Sequence, residues 1–416
     1  MAIRNGTNSA DTLYGTSVGD AIYGQGGNDS LEGFGGADYL DGGAGIDTVF
    51  YGDSNVGVAV NLATGRGYGG SAEGDTLVSI ENVFGSNFND TLTGTSGANQ
   101  LHGGEGNDVI KGGGGNDCLD GGNGNDILQS GGFGTSTLDG GSGDDTFKGV
   151  GAADTLIGGA GSDTVDYSSG SGGVTVSLGD PLPCWAGVEI PHGQFISIEN
   201  LTGSSGQDTL VGNGGSNVLR GLAGRDNLMG GYGADLMYGG TDSDHYCVLD
   251  AGDVAWEYAG EGTFDVVWAG ISYVLPAGSE IEQLNVWDVA LGMAPINLTG
   301  NEFNNDINGG DGDNVINGGA GADSMFGGKG NDTYVVDNPG DWLFENGEVY
   351  STPEIESEGF DTVLTSVSYD VGLYNEIEVL QAIATDNISL VGASITIASL
   401  ATTVRTSSSA AMARIP

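Results

Sequence analysis

Aspartate recurs at nine-residue steps along this chain, each time among glycines. The stretch from Gly103 to Gln129 reads GGEGNDVIK, GGGGNDCLD, GGNGNDILQ, three consecutive units of the form Gly-Gly-x-Gly-x-Asp-x-(large apolar)-x. Asp108, Asp117 and Asp126 hold the acidic place, and Ile110, Leu119 and Leu128 follow two places later. Carboxylates together with turn carbonyls are hard oxygen donors of the kind that fill a calcium shell. No His or Cys stands at a regular position of the units, which disfavours softer metals. The chemistry this spacing offers is the capture of hard divalent cations. A solvated acidic surface is the plainer alternative, but surface charge has no reason to keep a nine-residue phase with glycine.

Four runs keep the phase. The first, from Gly6 through Phe50, places Asp11, Asp20, Asp29, Asp38 and Asp47 in step with Leu13, Ile22, Leu31, Leu40 and Val49. The second, Gly85 to Asp166, carries Asp90, Asp108, Asp117, Asp126, Asp145, Asp154 and Asp163, with Asn99 in one acidic place. Its unit from Gly131 to Asp139 offers only Ser136 and has an extra residue, so a weak or missing site is expected there. The third, Gly203 to Val248, has Asp208, Asp226, Asp235 and Asp244, with Asn217 substituting once. A short fourth run holds Asn305, Asn314, Asp323 and Asp332.

The elements that must position these carboxylates follow from the glycines. Gly-Gly-x-Gly admits positive φ and a tight six-residue turn, leaving x-apolar-x as one short strand. Two nonads then make one coil, and equivalent turns two units apart stack at about 4.8 Å, the sheet spacing. Stacking sets the aspartates in columns, where neighbouring unit charges repel by about 1 kcal/mol even in water's dielectric. One apolar side chain per nonad returns less on burial than nine backbone residues cost to order. A divalent cation supplies what is missing, so folding and metal binding should be one event.

Between the runs the chain repeats in a second way. Gly173-Val-Thr-Val-Ser-Leu178 echoes Gly57-Val-Ala-Val-Asn-Leu62, and Ser197-Ile-Glu-Asn-Leu201 echoes Ser79-Ile-Glu-Asn-Val83. Farther on, the stretch from Asp244 to Asp253 matches that from Asp332 to Asp341, and Glu280-Ile-Glu-Gln-Leu284 matches Glu376-Ile-Glu-Val-Leu380. No segment shows sustained helical periodicity, and alternation such as Val56 to Leu62 suits strands. The expected fold is all-β throughout. Its divisions are residues 1–50, 85–166, 203–248 and 300–336 as nonad runs, 51–84 and 167–202 as paired β inserts, 249–299 and 337–393 as paired β-rich segments, and 394–416 as an atypical tail.

Composition narrows the function. Of 416 residues 82 are glycine without a Gly-x-y triplet, which excludes collagen. A net charge of -48 makes nucleic acid and bare anionic membrane unlikely partners, and no apolar run is long enough for a transmembrane span. Cys118, Cys184 and Cys247 stand in unlike contexts and are expected to be isolated thiols, not a disulfide framework. Met1 precedes the first nonad by only five residues, so neither a cleaved leader nor an effector domain is expected ahead of it.

The nonads resemble those of the RTX (repeats-in-toxin, haemolysin-type calcium-binding) family over roughly half the chain. The resemblance implies a right-handed parallel β-roll, a β-solenoid interrupted here by irregular β inserts, with several Ca²⁺ ions held between turns two units apart. It pairs Asp20 with Asp38, Asp29 with Asp47, Asp108 with Asp126, Asp145 with Asp163, and Asp226 with Asp244 as ligands. Glycine carbonyls of the same turns, such as Gly104, Gly106, Gly113, Gly115, Gly122 and Gly124, complete the shells. It also implies export through a type I secretion apparatus and folding outside the cell, where calcium is abundant.

Catalytic motifs are weak. Gly15-Thr-Ser-Val-Gly19 fits a nucleophile elbow but falls inside the nonad phase, without a strand-turn-helix context. His102, His192 and His245 form no metalloprotease motif, and no EF-hand loop is present. Trp185, Trp256, Trp268, Trp287 and Trp342 all lie outside the nonads, where packing is the expected role and a carbohydrate or partner surface the sharper one. The expected function is that of a secreted, non-enzymatic binding or structural protein, like the small nodulation-type members of the family. Its partner would be an extracellular polysaccharide or a host surface. The competing reading is a secreted polysaccharide lyase or epimerase, or a cytolysin, with the repeats as export and folding aid.

The tail generates a prediction of its own. Ser394 to Pro416 holds neither glycine nor acid. Leu400 to Pro416 can nevertheless be coded so that the frame one base earlier reads GNDGANILLGGNGADT, two nonad-like units. In that frame the middle base of each hidden codon is the first base of a visible one, so the visible residues largely fix it. The hypothesis is a single-base frameshift inside a further repeat, which puts a family-type C-terminal export signal in doubt for this form. Resequencing the gene past this point should reveal further nonads; a confirmed frame without hidden repeats would rule the hypothesis out.

Overall fold

The computed structural model describes residues 2–179, 194–287, 295–344, 359–372, 377–384 and 388–392, and the backbone alone of 396–399 and 405–406. Its described residues are strands and turns, apart from a single 3-10 turn at Gly70–Ala72. The chain divides into two compact units, Met1–Gly170 with Thr175–Leu178 and Glu189–Thr202, and Ser171–Val174 with Gly179–Val188 and Gly203–Pro416.

In the first unit the x-apolar-x triplets form the strands, as in Tyr39–Asp41, Thr48–Phe50 and Thr164–Asp166, each with only its middle residue buried. Every nonad strand pairs in parallel with the strand one coil on: Val109, Ile110 and Lys111 lie beside Ile127, Leu128 and Gln129. Alternate nonads build two facing sheets, so the buried Leu101, Ile110, Leu119 and Leu128 form one narrow core between them. Strands on one side, such as Gln100–Glu105 and Cys118–Asn123, run six residues because Gly104 stays in register with Gly122 beyond the apolar position. The extra residue of the unit from Gly131 to Asp139 is taken up in its turn, and Leu119 still pairs with Leu138.

The insert after Phe50 starts a coil differently. Ala59–Asn61 pairs in parallel with Thr91–Thr93, and Arg66–Tyr68 then runs antiparallel to it and to Thr76–Val78. These are the antiparallel contacts among the described residues. Tyr39–Asp41 resumes its parallel pairing with Thr76–Val78, so the detour leaves the stack unbroken.

In the second unit the β-rich segments that change style in sequence prove to be further coils. His245–Val248 continues in parallel into Val266–Ala269, Gln283–Val286, Asp306–Asn308, Ser324–Phe326 and Trp342–Phe344. The buried Tyr246, Val267, Leu284, Ile307, Met325 and Leu343 succeed one another along that sheet. Two expectations change here. Cys247 is disulfide-bonded and not an isolated thiol, whereas Cys118 is free. Trp287 is buried, but Trp342 is 65% exposed and stacks on Phe344 with ring centres 5.2 Å apart, so packing does not explain it. Cys184, Trp185, His192 and the side chains of 394–416 lie outside the described residues.

The turn geometry separates glycines that must be glycine from those that need not. Gly124 has φ +132°, and an added Cβ would stand 1.8 Å from the Gly106 carbonyl oxygen in the coil before. Gly114, at an x position, would meet nothing closer than 3.9 Å. Gly124→Ala should cost more than the roughly 1–2 kcal/mol of a left-handed residue alone, and Gly114→Ala no more than about 0.5 kcal/mol. Urea unfolding of both variants in saturating calcium measures the difference.

Candidate metal centres

Nonad aspartates other than Asp154 fold back over the first glycine of their own turn. A methyl on Gly103 would lie 2.0 Å from Oδ2 of Asp108 and 2.6 Å from the carbonyl oxygen of Gly121, one coil on. The same pair of oxygens recurs at Gly121 with Asp126 Oδ2 at 2.2 Å and the Gly140 carbonyl at 2.6 Å. The first glycine therefore leaves the space that carboxylate and carbonyl share. The other oxygen, Oδ1, accepts the backbone N–H of the aspartate one coil earlier. The amide of Asp108 donates to Asp126 at 2.7 Å, that of Asp126 to Asp145 at 2.7 Å, and that of Asp145 to Asp163 at 2.8 Å. Asp20 and Asp38, Asp29 and Asp47, and Asp226 and Asp244 are joined in the same way at 2.7 Å.

The second oxygen separates two kinds of rung. Oδ2 of Asp29, Asp38, Asp47, Asp108, Asp117, Asp126, Asp145, Asp163, Asp226, Asp235, Asp244, Asp323 and Asp332 is buried without a donor. Buried polar atoms are nearly always paired, so these orphans ask for a partner. Asp11, Asp20, Asp90, Asp154 and Asp208, expected from their phase to be equivalent, are different. The Thr7 amide reaches Asp11 Oδ2 at 2.5 Å, the Thr16 hydroxyl Asp20 at 2.7 Å, the Ser86 amide Asp90 at 2.5 Å, the Gly151 amide Asp154 at 2.7 Å, and the Ser204 amide Asp208 at 2.6 Å. Four of these turns have Ser or Thr where the second glycine stands elsewhere, and its amide or hydroxyl gives the carboxylate a local donor. Asparagine rungs do the same in another way. The side-chain amides of Asn99, Asn305 and Asn314 donate to the carbonyls of Glu81, Ile281 and Ile296 at 2.6, 2.8 and 2.7 Å.

Several members of the columns escape the nonad pattern. Asp75, Asp253, Asp265, Asp341 and Asp361 extend the columns outside the repeats, accepting the amides of Asp38, Asp235, Asp244, Asp323 and Asp332. Glu81, Glu199, Glu282 and Glu378 then accept the amides of Asp47, Asp163, Asp265 and Asp361 at 2.7–2.8 Å. The shared Ile-Glu signature was visible in sequence; its role was not. Position five carries a second, outer ladder, with the Asn125 amide donating to Asn107 Oδ1 at 2.9 Å. Gly104, Gly106, Gly113, Gly115, Gly122 and Gly124 are the positive-φ glycines of the turns. The carbonyl placed beside the free oxygen of Asp108 or Asp126 comes from the first glycine one coil on, Gly121 or Gly140, and that beside Asp47, Asp117 or Asp163 from Ser79, Ser130 or Ser197.

Burial sets the electrostatics. It raises Asp38, Asp126, Asp163 and Asp323 to about 6, Asp108, Asp145, Asp235, Asp244 and Asp332 to about 7, and Asp226 to about 8. The ladder N–H opposes the rise and neighbouring carboxylates add to it. At an effective dielectric of 20, unit charges one coil apart repel by roughly 3 kcal/mol. Asp20 is instead lowered by the Ala2 amide and the Thr16 hydroxyl.

Anionic, oxygen-only, buried and lacking donors, these turns fit calcium: their aspartates and turn carbonyls would supply the oxygen ligands, and the ion's charge would neutralise the column. Fold and site together define a calcium-binding parallel β-solenoid. A family model described as RTX calcium-binding nonapeptide repeat (4 copies) matches residues 5–29, 14–49, 84–117, 93–128, 130–172, 197–226, 211–246 and 299–334. The chain belongs to that family. None of the curated proteins compared with it matches.

Two outcomes follow. Asp126→Asn should lower the number of bound calcium ions by about one, and Asp208→Asn should leave it unchanged; elemental analysis after gel filtration counts them. The second concerns pH. An unfolded aspartate titrates near 3.9, below the raised folded values, so the metal-free fold is stabilised by protonation. That contribution is complete below about pH 4 and is lost as pH rises through 6 to 8. Chelator-treated protein should thus show more strand by circular dichroism at pH 5 than at pH 8, while calcium affinity, which needs ionised carboxylates, changes in the opposite direction.

Proposed function

We propose that this protein is exported by a type I secretion apparatus, folds as calcium binds outside the cell, and acts there as a binding or structural protein. The observation that carries the reading is the column of buried, donor-less Oδ2 atoms. A chain with that requirement suits a compartment rich in calcium, where extracellular modules bind at about 10⁻⁴–10⁻³ M. Its carboxylate pairs are committed to the ladder, which favours binding over acid–base catalysis as the protein's work.

An extracellular polysaccharide is the proposed partner class. In the second unit the rings of Tyr238 and Tyr258 stack at 5.9 Å and 4°, with the Arg220 guanidinium 5.4 Å from the Tyr238 ring centre. Trp256 meets Tyr258 edge-on at 5.9 Å, and Tyr258 is 53% exposed. Flat exposed rings with a polar rim suit the apolar faces of sugars.

Calcium titration followed by circular dichroism is the decisive measurement. The chain should be largely unstructured in chelator and gain strand with calcium; a compact, stranded protein in chelator, with no ion found in the untreated sample, overturns the reading. Glycan binding is tested separately, on a panel of neutral and acidic polysaccharides in calcium. Tyr258→Ala should weaken retention by about tenfold if stacking holds the sugar, and release of unsaturated or epimerised products would move the assignment to an enzyme.

A further inference from the structure

We infer that Asp244, Glu257 and Asp265 form a three-carboxylate site for a hard cation, chemically distinct from the nonad turns. Ligand oxygens of the three residues all lie within 4.8 Å of one another, and all three side chains are buried. The inference uses the calcium chemistry of the turns and is independent of export or of any partner.

The site stands where the third nonad run ends. Asp244 donates its amide to Asp265 Oδ1 at 2.7 Å, so Asp265 continues the column from outside the repeats. Its own amide passes on to Glu282 Oε2 at 2.8 Å. Glu257, just beyond the strand Val254–Trp256, is 0% exposed and anchored by its amide to Ser279 Oγ at 3.0 Å. One of its oxygens accepts the hydroxyl of the buried Tyr246, which in turn accepts the Gly239 amide at 2.6 Å. The other, Oε2, has no donor, and neither has Oδ2 of Asp244 or of Asp265.

Comparison with the preceding turn shows what has changed. A methyl on Gly221 would lie 2.2 Å from Asp226 Oδ2 and 2.7 Å from the Gly239 carbonyl oxygen. A methyl on Gly239 would instead meet Asp244 Oδ2 at 2.2 Å, the Tyr246 hydroxyl at 2.3 Å and Glu257 Oε1 at 2.5 Å, with Glu257 and Tyr246 where the carbonyl stood. A neutral ligand has given way to a charged one. Asp242, Glu261 and Glu282 add negative charge around the cluster, and Arg225 adds positive. Three buried carboxylates, each with an oxygen facing no donor, require a multivalent cation more strongly than two do.

The chain uses the arrangement twice in sequence. Asp332, Tyr334 and Asp361 correspond to Asp244, Tyr246 and Asp265, and residue 345 is again glutamate. In that copy Asp332 donates to Asp361 at 2.8 Å, and a methyl on Gly327 would again meet a tyrosine hydroxyl, of Tyr334, at 2.3 Å. Residue 345 lies outside the described residues.

The higher negative charge predicts a preference for trivalent over divalent ions. Calcium-loaded crystals of the full chain, exchanged briefly against Tb³⁺, should show their strongest anomalous peak among Asp244, Glu257 and Asp265. In solution, Glu257→Gln should weaken the tightest Tb³⁺ phase by about tenfold or more and lower the ion count by about one. Asp126→Asn should lose an ion while keeping that phase. Anomalous density absent from the cluster, or a Glu257→Gln protein with the tight phase and the full count, overturns the inference. If Glu257→Gln does not fold, the crystal measurement on the unaltered chain decides alone. A chain that folds with calcium but fails these tests loses only this site.

Discussion

Buried carboxylate oxygens without a protein donor govern this structure. Along each column one oxygen of an aspartate accepts an amide from the coil before, and the other is buried without a donor, in turns such as those of Asp108, Asp126 and Asp226 beside a glycine carbonyl, also an acceptor. Two acceptors and a negative charge are costly together in a low-dielectric interior unless a cation joins them or the carboxyl takes up a proton. The narrow core, one buried side chain per three-residue strand, offers little to offset that cost. A cation bound in these turns would offset that cost, which is the physical basis of the coupling proposed between metal binding and folding.

The same constraint explains how the columns begin and end. Where a coil starts a run, Ser or Thr follows the first glycine, or Asn replaces Asp, and the turn closes with N–H and O–H donors of its own. Where a run stops, Glu81, Glu199, Glu282 or Glu378 accepts the final aspartate amide. The longer side chain bridges the irregular geometry where an insert or β-rich segment joins the stack. Self-satisfied turns thus mark the starts of the runs, while unsatisfied charge extends to their ends at Asp47, Asp163 and Asp244.

The Tyr246 and Glu257 pair shows how far such a turn can be altered. Replacing one carbonyl by a carboxylate changes the charge of a site without changing the backbone that carries it, because Asp244 and Asp265 still bond in sequence. The aromatic residues of the β-rich segments divide by face. Those between the sheets, such as Tyr246 and Tyr334, point hydroxyls at the columns, while Tyr258 and Trp342 remain exposed.

From sequence alone, the nine-residue phase determined the strands, the two-nonad coil, the stacked aspartates and the hard-cation chemistry. It could do so because glycine turns and x-apolar-x strands are local and recur at a fixed step. What needed the tertiary structure was the state of each second carboxylate oxygen: Asp90 and Asp108 occupy the same place in the motif, yet Ser86 donates to Asp90 while Asp108 Oδ2 is left without a donor. It also needed the structure to bring Asp75, Asp265 and Glu257 onto the columns, since inserts of irregular length erase the phase that would have announced them. Local periodicity specifies a column; only the three-dimensional fit of its neighbours decides which rungs remain unsatisfied.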